Sequence, residues 1–525
     1  MERSIYLISP KCPEPSAFGM DVFTFLGFKS AKYQADLSIV TVATVIGDGV
    51  TIEICDEDLS EINFDHSAPV VGISCRIYQE DRVIAIADDF RRRGKFIIVG
   101  GPAVPLMKDL LKPHCDVLVT GEIEDIASTL FTDVFCGKAK HEYYGNQPDL
   151  ASSRPPRWDL YSHHRVLLGA LQTSRGCPFE CEFCDVPVIL GRKQRFKTIP
   201  QVIQELDALY NYGYRVVSIL DDNFLVYRRR SHEVLTAIRD WNHSRRSGGV
   251  ALAAMFSLDL ARDPELLALA AEAGVRYAFI GIESINVDSL RETKKKQNIV
   301  PDILKTVSTL PKLGIMPAAG IVVGFDADDK GVFEKQFDFA MRSPIPILGI
   351  SMLTPIQTAP LYERMMKEGR IGPSFSGVPS LVPKQMTREC LEKGYMWLLQ
   401  NLYTPANFAQ RMCAFIREFI PNQNAPPPAT PEQMRPIELE ATSRIIERLT
   451  ALGDEESRAM HRIRAALDLN PGAELATRMA LFEYARVYTA VNLLPGQYAR
   501  SLAGVEQSGA RAVGDSPAFA GTSDG

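Results

Sequence analysis

The stretch that decides the fold is Cys177-Pro-Phe-Glu-Cys181-Glu-Phe-Cys184, in which three cysteines follow a Cx₃Cx₂C spacing. An apolar segment, Val166 to Leu171, precedes it and has the composition of a buried strand. The sequence therefore predicts three thiolates on one tight loop at a strand's end. Such a loop can hold three corners of a [4Fe–4S] cluster, which ordinarily takes four cysteines, and one iron would stay open to a non-protein ligand.

Two other interpretations of these cysteines stay open. A structural zinc site needs a fourth ligand, and the nearby candidates, His163 and His164, lie upstream across the predicted strand. Disulfides or purely structural cysteines form the second alternative. The N-terminus MERSIYLISPKC carries no secretory signal, and ten cysteines without a paired pattern favour a reducing compartment.

Composition restricts the class of protein. A chain of 525 residues predicts two or three domains, and 46% hydrophobic with 23% charged residues is typical of a soluble globular protein. A net charge of −6 argues against a nucleic-acid partner. No apolar run reaches the roughly 18 residues that span a bilayer. We expect a cytoplasmic protein without an integral membrane segment, peripheral to the membrane if its substrate is a lipid.

Residues 1–135 predict an α/β domain with a flavodoxin-like, doubly wound parallel sheet, because short apolar runs alternate with helical segments. The predicted strands are Ser4–Ser9, Thr51–Cys55, Val70–Cys75, Phe96–Gly100 and Val117–Thr120. Ligands bind such sheets outside the carboxyl ends of the strands. Gly100, Gly101 and Gly121 with Glu122 stand at two of these ends, where glycine permits a bulky ligand to approach the backbone. A purely structural role is the alternative, because any flavodoxin-like domain has glycine turns.

Residues 136–165 are predicted to be a linker, since Pro, Asn, Gly and Ser cluster there without periodicity. Residues 166–372 alternate again and predict a partial (β/α)₆ barrel, short of the eight units of a closed one. Its predicted strands are Val166–Thr173, Val216–Asp221, Ala251–Ser257, Tyr277–Glu283, Ala318–Phe325 and Leu348–Leu353. Helices are predicted between them, and the one before the fifth strand is Val300–Leu313.

Polar side chains follow three of these strands, where catalytic groups of barrels lie. They are Asp222 with Asn223, Ser257 with Asp259, and Glu283. Helix N-caps are an alternative role for Asp259 and Glu283. The adjacent acids Asp221 and Asp222 would repel each other unless a cation lies near.

The C-terminal part is predicted to be helical over residues 373–499, with an interruption at the proline-rich loop Pro421 to Pro436. The predicted helix Thr387–Tyr403 reads as core rather than as a cofactor site. Residues 500–525 are small and polar and are predicted to be a disordered tail.

The cysteine motif, with Phe183 before the last cysteine, resembles the signature of radical S-adenosylmethionine (SAM) enzymes. The resemblance implies that Cys177, Cys181 and Cys184 bind a [4Fe–4S] cluster whose open iron takes the amino and carboxylate groups of SAM. It further implies an electron donor such as a flavodoxin or ferredoxin. Asp222, Asn223, Ser257 and Glu283 are then candidate SAM contacts, together with Phe183.

The N-terminal segment up to about residue 130, with its Val-Gly-Gly-Pro-x-x-Pro turn at residues 99–105, resembles the cobalamin-binding domain of cobalamin-dependent radical SAM enzymes. It lacks the Asp-x-His-x-x-Gly pattern that supplies a lower cobalt ligand. The resemblance implies that the loop after the third strand lies under the corrin ring, with Arg76 and Tyr78 facing cobalt. Gly100, Gly101, Gly121 and Glu122 are the other candidate cobalamin contacts.

Within that family, the motifs DDNF at 221–224 and TAPLY at 358–362 are most similar to those of hopanoid and bacteriochlorophyll C-methylases. The resemblance implies methylation of an unactivated carbon of a small-molecule or lipid-like substrate. The alternative is a cobalamin-dependent radical rearrangement, cyclisation or dehydration without methyl transfer. The sequence assigns no catalytic side chain, substrate or stereochemistry.

Overall fold

The computed structural model describes residues 3–12, 22–245, 248–375, 378–427 and 429–493. The predicted tail, residues 500–525, and residues 13–21 of the loop after the first strand lie outside the described residues. The strands are β1 Ser4–Ser9, β2 Lys32–Gln34, β3 Thr51–Asp56, β4 Val70–Ser74, β5 Phe96–Gly100, β6 Val117–Thr120, β7 Glu142–Tyr144, β8 Val166–Leu171, β9 Ser174–Arg175, β10 Arg195–Phe196, β11 Val216–Ile219, β12 Ala251–Phe256, β13 Val275–Glu283, β14 Met316–Val323, β15 Ile347–Met352, β16 Ile371–Phe375 and β17 Val378–Leu381.

Helices connect most of these strands and make up most of the C-terminal part. The α-helices are α1 Val22–Phe25, α2 Leu37–Ile46, α3 Glu80–Arg92, α4 Val104–Leu111, α5 Ala127–Phe135, α6 Val186–Ile189, α7 Ile199–Asn211, α8 Arg228–His243, α9 Pro264–Glu272, α10 Val287–Glu292, α11 Ile303–Val307, α12 Thr309–Lys312, α13 Val332–Arg342, α14 Pro360–Lys367, α15 Arg388–Leu402, α16 Pro405–Glu418, α17 Pro436–Thr450, α18 Asp454–Leu469 and α19 Glu474–Tyr488.

The N-terminal sheet is parallel throughout, with strand order β3-β1-β4-β5-β6-β7. The five predicted strands are present, and the order reverses beside β1, which is the switch point of a doubly wound sheet. The sixth strand, β7, lies inside the segment predicted to be a linker and pairs with β6. It has three residues, too few for an alternating pattern to be visible in the sequence.

Alternation along β1 explains how this sheet is covered on both faces. Ile5 and Leu7 belong to one apolar cluster, while Tyr6 and Ile8 belong to another that contains residues of α3 and α4. Successive side chains of a strand point to opposite faces, so the two clusters lie on opposite sides of the sheet. The first cluster continues through the second sheet and the C-terminal helices. Because these parts share a core, the domain boundaries remain sequence predictions.

The second sheet is the partial barrel, with strand order β15-β14-β13-β12-β11-β8-β2. All six predicted strands are present and parallel. Its seventh member, β2, comes from the N-terminal segment and pairs with β8. The pairing of this N-terminal strand with the barrel sheet was not predicted, because β2 also has only three residues. The α/β class, the flavodoxin-like sheet and the curled partial barrel with its helical C-terminal part are confirmed.

The C-terminal half differs from the prediction in two places. The predicted helix Val300–Leu313 is two shorter helices, α11 and α12. A hairpin, β16 and β17, lies between α14 and the helical region. Among the described residues, no helix is long and apolar enough to cross a membrane.

Candidate active site

The cysteine loop follows β8 at the carboxyl edge of the partial barrel. Strands β9 and β10 pair antiparallel and close residues 176–194 into a hairpin loop. Gly176 has a φ of +96°, and a Cβ there would lie 2.8 Å from the carbonyl oxygen of Gly191. The amide of Cys177 donates to the same oxygen at 3.1 Å. Glycine is therefore required where the two ends of the loop meet.

All three cysteines of the loop are free thiols, and Cys181 is buried. Burial raises the pKa of Cys177 and raises that of Cys184 to about 12. In the described part of the chain, no three His, Cys, Asp or Glu side chains converge on a position for a single metal ion. A cubane attaches each thiolate to a different iron, so this finding does not bear on a cluster.

The two adjacent acids at the end of β11 have separate partners. Asp221 is buried and accepts hydrogen bonds from the amide of Thr173 at 2.6 Å and the hydroxyl of Ser174 at 2.6 Å. Asp222 accepts from the amide of Gly176 at 2.9 Å, and burial raises its pKa to about 6. The expectation that this pair needs a nearby cation was wrong for Asp221, because hydroxyl and amide donors satisfy it. Both carboxylates brace the start of the cysteine loop.

Asn223 and Ser257, predicted from different strands, are brought together. The Asn223 amide donates to the Ser257 hydroxyl at 2.9 Å, and that hydroxyl donates to Asp259. Asp259 pairs with Arg228 at 3.2 Å. The carboxyl ends of β11 and β12 are thus joined by a chain of polar contacts on the same edge as the cysteine loop.

Glu283 lies at the end of β13 and carries a φ of 65°, which is uncommon for a residue other than glycine. Its carboxylate pairs with Lys295 at 2.7 Å. Burial opposes the Lys295 charge, but the Glu283 carboxylate raises its pKa. The Lys295 ammonium also lies 5.7 Å from the centre of the Phe183 ring. These contacts place Glu283 and Phe183 at the cysteine loop.

The segment from Thr293 to Asn298 was not predicted to be part of the site. Its run of three lysines is typical of a solvated surface, and Lys294 and Lys296 are not buried. Yet the carbonyl of Thr293 accepts the Glu182 amide at 2.9 Å, and the Gln297 amide lies 3.2 Å from the Cys181 sulfur. The neighbouring lysines are typical of a solvated surface, so nothing in the sequence indicated that Gln297 is buried.

Helix α14 covers the other side of the loop. Arg364 pairs with Glu182 at 2.8 Å and with Asp326 at 2.6 Å, and the amide of Leu361 donates to the Glu182 carbonyl at 2.8 Å. The Phe183 ring lies 6.1 Å from that of Phe325. The sequence from Pro360 onward therefore closes the barrel against the cysteine loop.

In the N-terminal sheet, Arg76 follows β4 and pairs with Asp36 at 2.5 Å. Burial opposes the Asp36 charge, but Arg76 and Lys32 hold its pKa well below the usual range. Asp36 also caps α2 through the amide of Ser38 at 3.0 Å. Tyr78, two residues on, is half-buried with a φ of 70°. Arg76 thus has a protein partner of its own, while Tyr78 stands on a strained turn.

The glycines at this edge face the chain's own backbone. A Cβ on Gly101 would lie 2.5 Å from the carbonyl oxygen of Cys75. A Cβ on Gly121 would lie 2.4 Å from the carbonyl oxygen of Gly145. Gly100 has only ordinary contacts, with Val119 at 3.5 Å. These close contacts favour the structural role of Gly101 and Gly121, and their contact with a ligand stays a prediction.

Glu122 forms ion pairs with the cysteine hairpin. Its carboxylate lies 2.6 Å from the Arg175 guanidinium and 2.5 Å from that of Arg195, and Glu124 also pairs with Arg175 at 2.6 Å. Arg175 and Arg195 belong to β9 and β10, which frame the cysteine loop. Glu122 therefore joins the carboxyl edge of the N-terminal sheet to that loop.

The histidines of the N-terminal segment are engaged elsewhere. His66 stacks on Tyr6 with ring centres 4.2 Å apart, and His114 pairs with Asp88 at 2.8 Å.

A cavity of about 400 Å³ opens beside the hairpin, between α2, α5 and the segment around residue 150. Thr41, Glu124 and Arg175 are among its lining residues. Residues that follow β6 and residues that follow β8 thus line the same cavity.

Known proteins are similar to this chain over its partial barrel. The model of the radical SAM superfamily matches residues 171–339, and a domain of unknown function matches 359–474. The hopanoid C-2 methylase of Rhodopseudomonas palustris is 30% identical over 389 residues, which cover 70% of this chain and 72% of that protein. A bacteriochlorophyllide d C-12(1)-methyltransferase of Chlorobaculum tepidum is 29% identical over 347 residues, covering 64% of this chain and 75% of that protein.

Among solved structures, the radical SAM methyltransferase TsrM from Kitasatospora setae, with cobalamin and a [4Fe–4S] cluster bound, superimposes with a TM-score of 0.60. The match covers 91% of this chain and 100% of TsrM at 15% identity. At that identity the likeness concerns the fold, including both sheets and the helical region.

Proposed function

The chain belongs to the radical SAM enzymes, in the branch that contains the hopanoid and bacteriochlorophyllide methyltransferases, and we propose that it methylates an unactivated carbon of a small-molecule or lipid-like substrate. The observation that carries the proposal is the loop of Cys177, Cys181 and Cys184 at the carboxyl end of the first barrel strand. The cofactors proposed are a [4Fe–4S] cluster, SAM and cobalamin.

The donor set at the loop fits an iron–sulfur cluster. The three thiols are free, and three cysteines on a four-iron cluster leave one corner for a non-protein ligand. Iron binding deprotonates a thiol outright, which opposes the burial that raises the pKa of Cys177 and Cys184. The bracing contacts from Asp222, Thr293 and Arg364 hold the loop in place before any iron is bound.

Residues around the loop are the proposed SAM contacts. Asn223, Ser257 and Glu283 stand at the carboxyl ends of three consecutive strands, as barrel active sites require. Glu283 keeps a strained backbone, a feature that clusters at functional sites. When bound, the three cofactors would supply the radical chemistry and the methyl group that such a methylation needs. The protein orients them and excludes water through the packing of α14.

For cobalamin we propose the carboxyl edge of the N-terminal sheet at its switch point, between β1 and β4. Tyr78 is the residue that best fits a place below the corrin, because it is half-buried on a strained turn at that edge. Gln79 anchors the turn by donating to the carbonyl of Pro10 at 2.5 Å. Neither His66 nor His114 is placed to reach this edge, which supports a cobalt without a histidine below it.

The test is the metal content of protein purified without oxygen from cells given iron and cobalamin. We expect about four irons and about one cobalt per chain. The triple variant Cys177→Ala, Cys181→Ala, Cys184→Ala should lose the iron and keep the cobalt. Four irons without cobalt would retain the cluster assignment and overturn cobalamin. A wild-type chain without iron would overturn the whole proposal.

The transfer itself is tested with SAM labelled in its methyl group. A labelled methyl group bonded to a substrate carbon in the product supports methylation. SAM cleavage without label in the product supports a rearrangement, cyclisation or dehydration. We propose a flavodoxin or ferredoxin as the electron donor. We also propose a cytoplasmic location, which the ten free cysteines support.

A further inference from the structure

One cysteine of the loop differs from the other two in its surroundings. The Nε2 atom of Gln297 lies 3.2 Å from the Cys181 sulfur, and both residues are buried. A side-chain amide nitrogen only donates, so the sulfur is the acceptor. Among the described residues, Cys177 and Cys184 receive no hydrogen bond from a side chain. Backbone amides, those of Phe179 and Val186, reach the Cys177 and Cys184 sulfurs. Cys181 is thus the one of the three whose sulfur receives a side-chain amide among the described residues.

Hydrogen bonds fix the chain on both sides of Gln297, so the fold sets the position from which its side chain reaches Cys181. Asn298 accepts the Leu258 amide at 3.1 Å and donates to the Ile282 carbonyl at 3.0 Å. The Thr293 carbonyl accepts the Glu182 amide at 2.9 Å, next to Cys181. The residues between include a 3₁₀ turn, Lys296–Asn298. The turn is thereby fixed to the barrel on one side and to the cysteine loop on the other.

We propose that Gln297 is a positioning residue that raises the reduction potential of the cluster by donating a hydrogen bond to the Cys181 thiolate. The inference rests on the proposed function, since it needs the cluster. Reduction adds one electron, supplied from outside, and places more negative charge on the sulfurs. A hydrogen bond to a ligand sulfur stabilises the reduced form more than the oxidised one.

The experiment compares Gln297→Leu, Gln297→Glu and the wild type after anaerobic reconstitution with iron and sulfide. Iron content is measured first, and the midpoint potential is then followed by electron paramagnetic resonance during titration with dithionite. We expect about four irons per chain throughout. In Gln297→Leu the equilibrium constant for reduction should fall about tenfold, which is about 59 mV for one electron. Gln297→Glu should show a smaller fall than Gln297→Leu, because a carboxyl group buried beside the cluster keeps its proton and can still donate it to the sulfur.

The matched control is Gln336→Leu. Gln336 is also buried, and its amide has no hydrogen-bond partner among the described residues. Its removal should leave the potential unchanged. A Gln297→Leu protein with full iron content and the wild-type potential would overturn the inference while leaving the proposed function intact. Loss of iron from both Gln297 variants would also overturn it, because the residue would then serve cluster assembly. A wild type without iron would instead contradict the proposed function.

Discussion

The two candidate cofactor regions differ in how the chain uses the predicted residues. At the edge of the N-terminal sheet, Arg76 and Glu122 pair with charged side chains, and the space beside Gly101 and Gly121 is filled by backbone. At the barrel, contacts that hold the loop surround the cysteine sulfurs, and Cys181 alone of the three receives a side-chain donor from the described residues. A motif of ligand atoms thus predicts chemistry, whereas a glycine turn predicts a close approach without saying of what.

The largest effect expected is that of Gly101→Ala on the ligand-free protein. The new Cβ would meet the Cys75 backbone, and the φ of +119° is itself unfavourable for alanine. We expect a loss of more than about 4 kcal/mol of unfolding free energy by urea denaturation. At Gly49, with a φ of +85° and no atom within 4 Å, alanine should cost only about 1 kcal/mol. Equal stability of the Gly101 variant and the wild type, with cobalamin affinity alone reduced, would restore the ligand explanation.

Lys295→Met tests the ion pair at the cysteine loop. It leaves the Glu283 carboxylate without its cation, where both side chains are nearly buried. Breaking such a pair should cost about 4 kcal/mol. The matched control, Lys296→Met, removes an exposed lysine and should change stability by less than about 0.5 kcal/mol. If both variants unfold at the same urea concentration, the lysine run is a solvated surface throughout.

Asp222→Asn should change how stability depends on pH. In the unfolded chain Asp222 loses its proton near its ordinary pKa of 3.8, and in the folded protein near about 6. The folded state therefore binds more protons in that interval, and this carboxyl group makes stability fall as pH rises through it. The variant lacks this loss, so its stability relative to the wild type should rise by roughly 2.5 kcal/mol between about pH 4 and about pH 7.

The measurement for Asp222→Asn is a series of urea unfolding curves across that pH range for both proteins. Asparagine can still accept the hydrogen bond from the Gly176 amide, so the comparison isolates the proton. A difference between the two proteins that is constant with pH would show that burial does not raise the pKa of Asp222.

The smallest expected effect is that of Glu122→Gln, which removes the carboxylate shared by Arg175 and Arg195. Arg195 loses its only carboxylate among the described residues, and we expect a loss of about 2 kcal/mol. Glu124→Gln should cost less, because Arg175 keeps Glu122. Unfolding of the ligand-free protein and cobalamin titration are the measurements. Unchanged stability with weaker cobalamin binding would make Glu122 a cofactor contact instead.

The sequence predicted most of the fold where apolar runs were long enough to show a period. Five strands of the first sheet and six of the second were identified in this way. It missed β2 and β7, which have three residues each and owe their strand conformation to a longer neighbour, β8 and β6. The split of the predicted helix Val300–Leu313 was also missed, since helical spacing continues across the break.

By itself, the sequence determined the cysteine loop and the order of strands around it, because both depend on neighbours along the chain. The spacing of three cysteines after a strand fixes where the thiolates lie. The tertiary structure decided the partners of Arg76, Glu122, Glu283 and Cys181, which come from segments 40, 53, 12 and 116 residues away. Which charge or amide meets another depends on how separate segments of the chain fold together, and no local pattern carries that information.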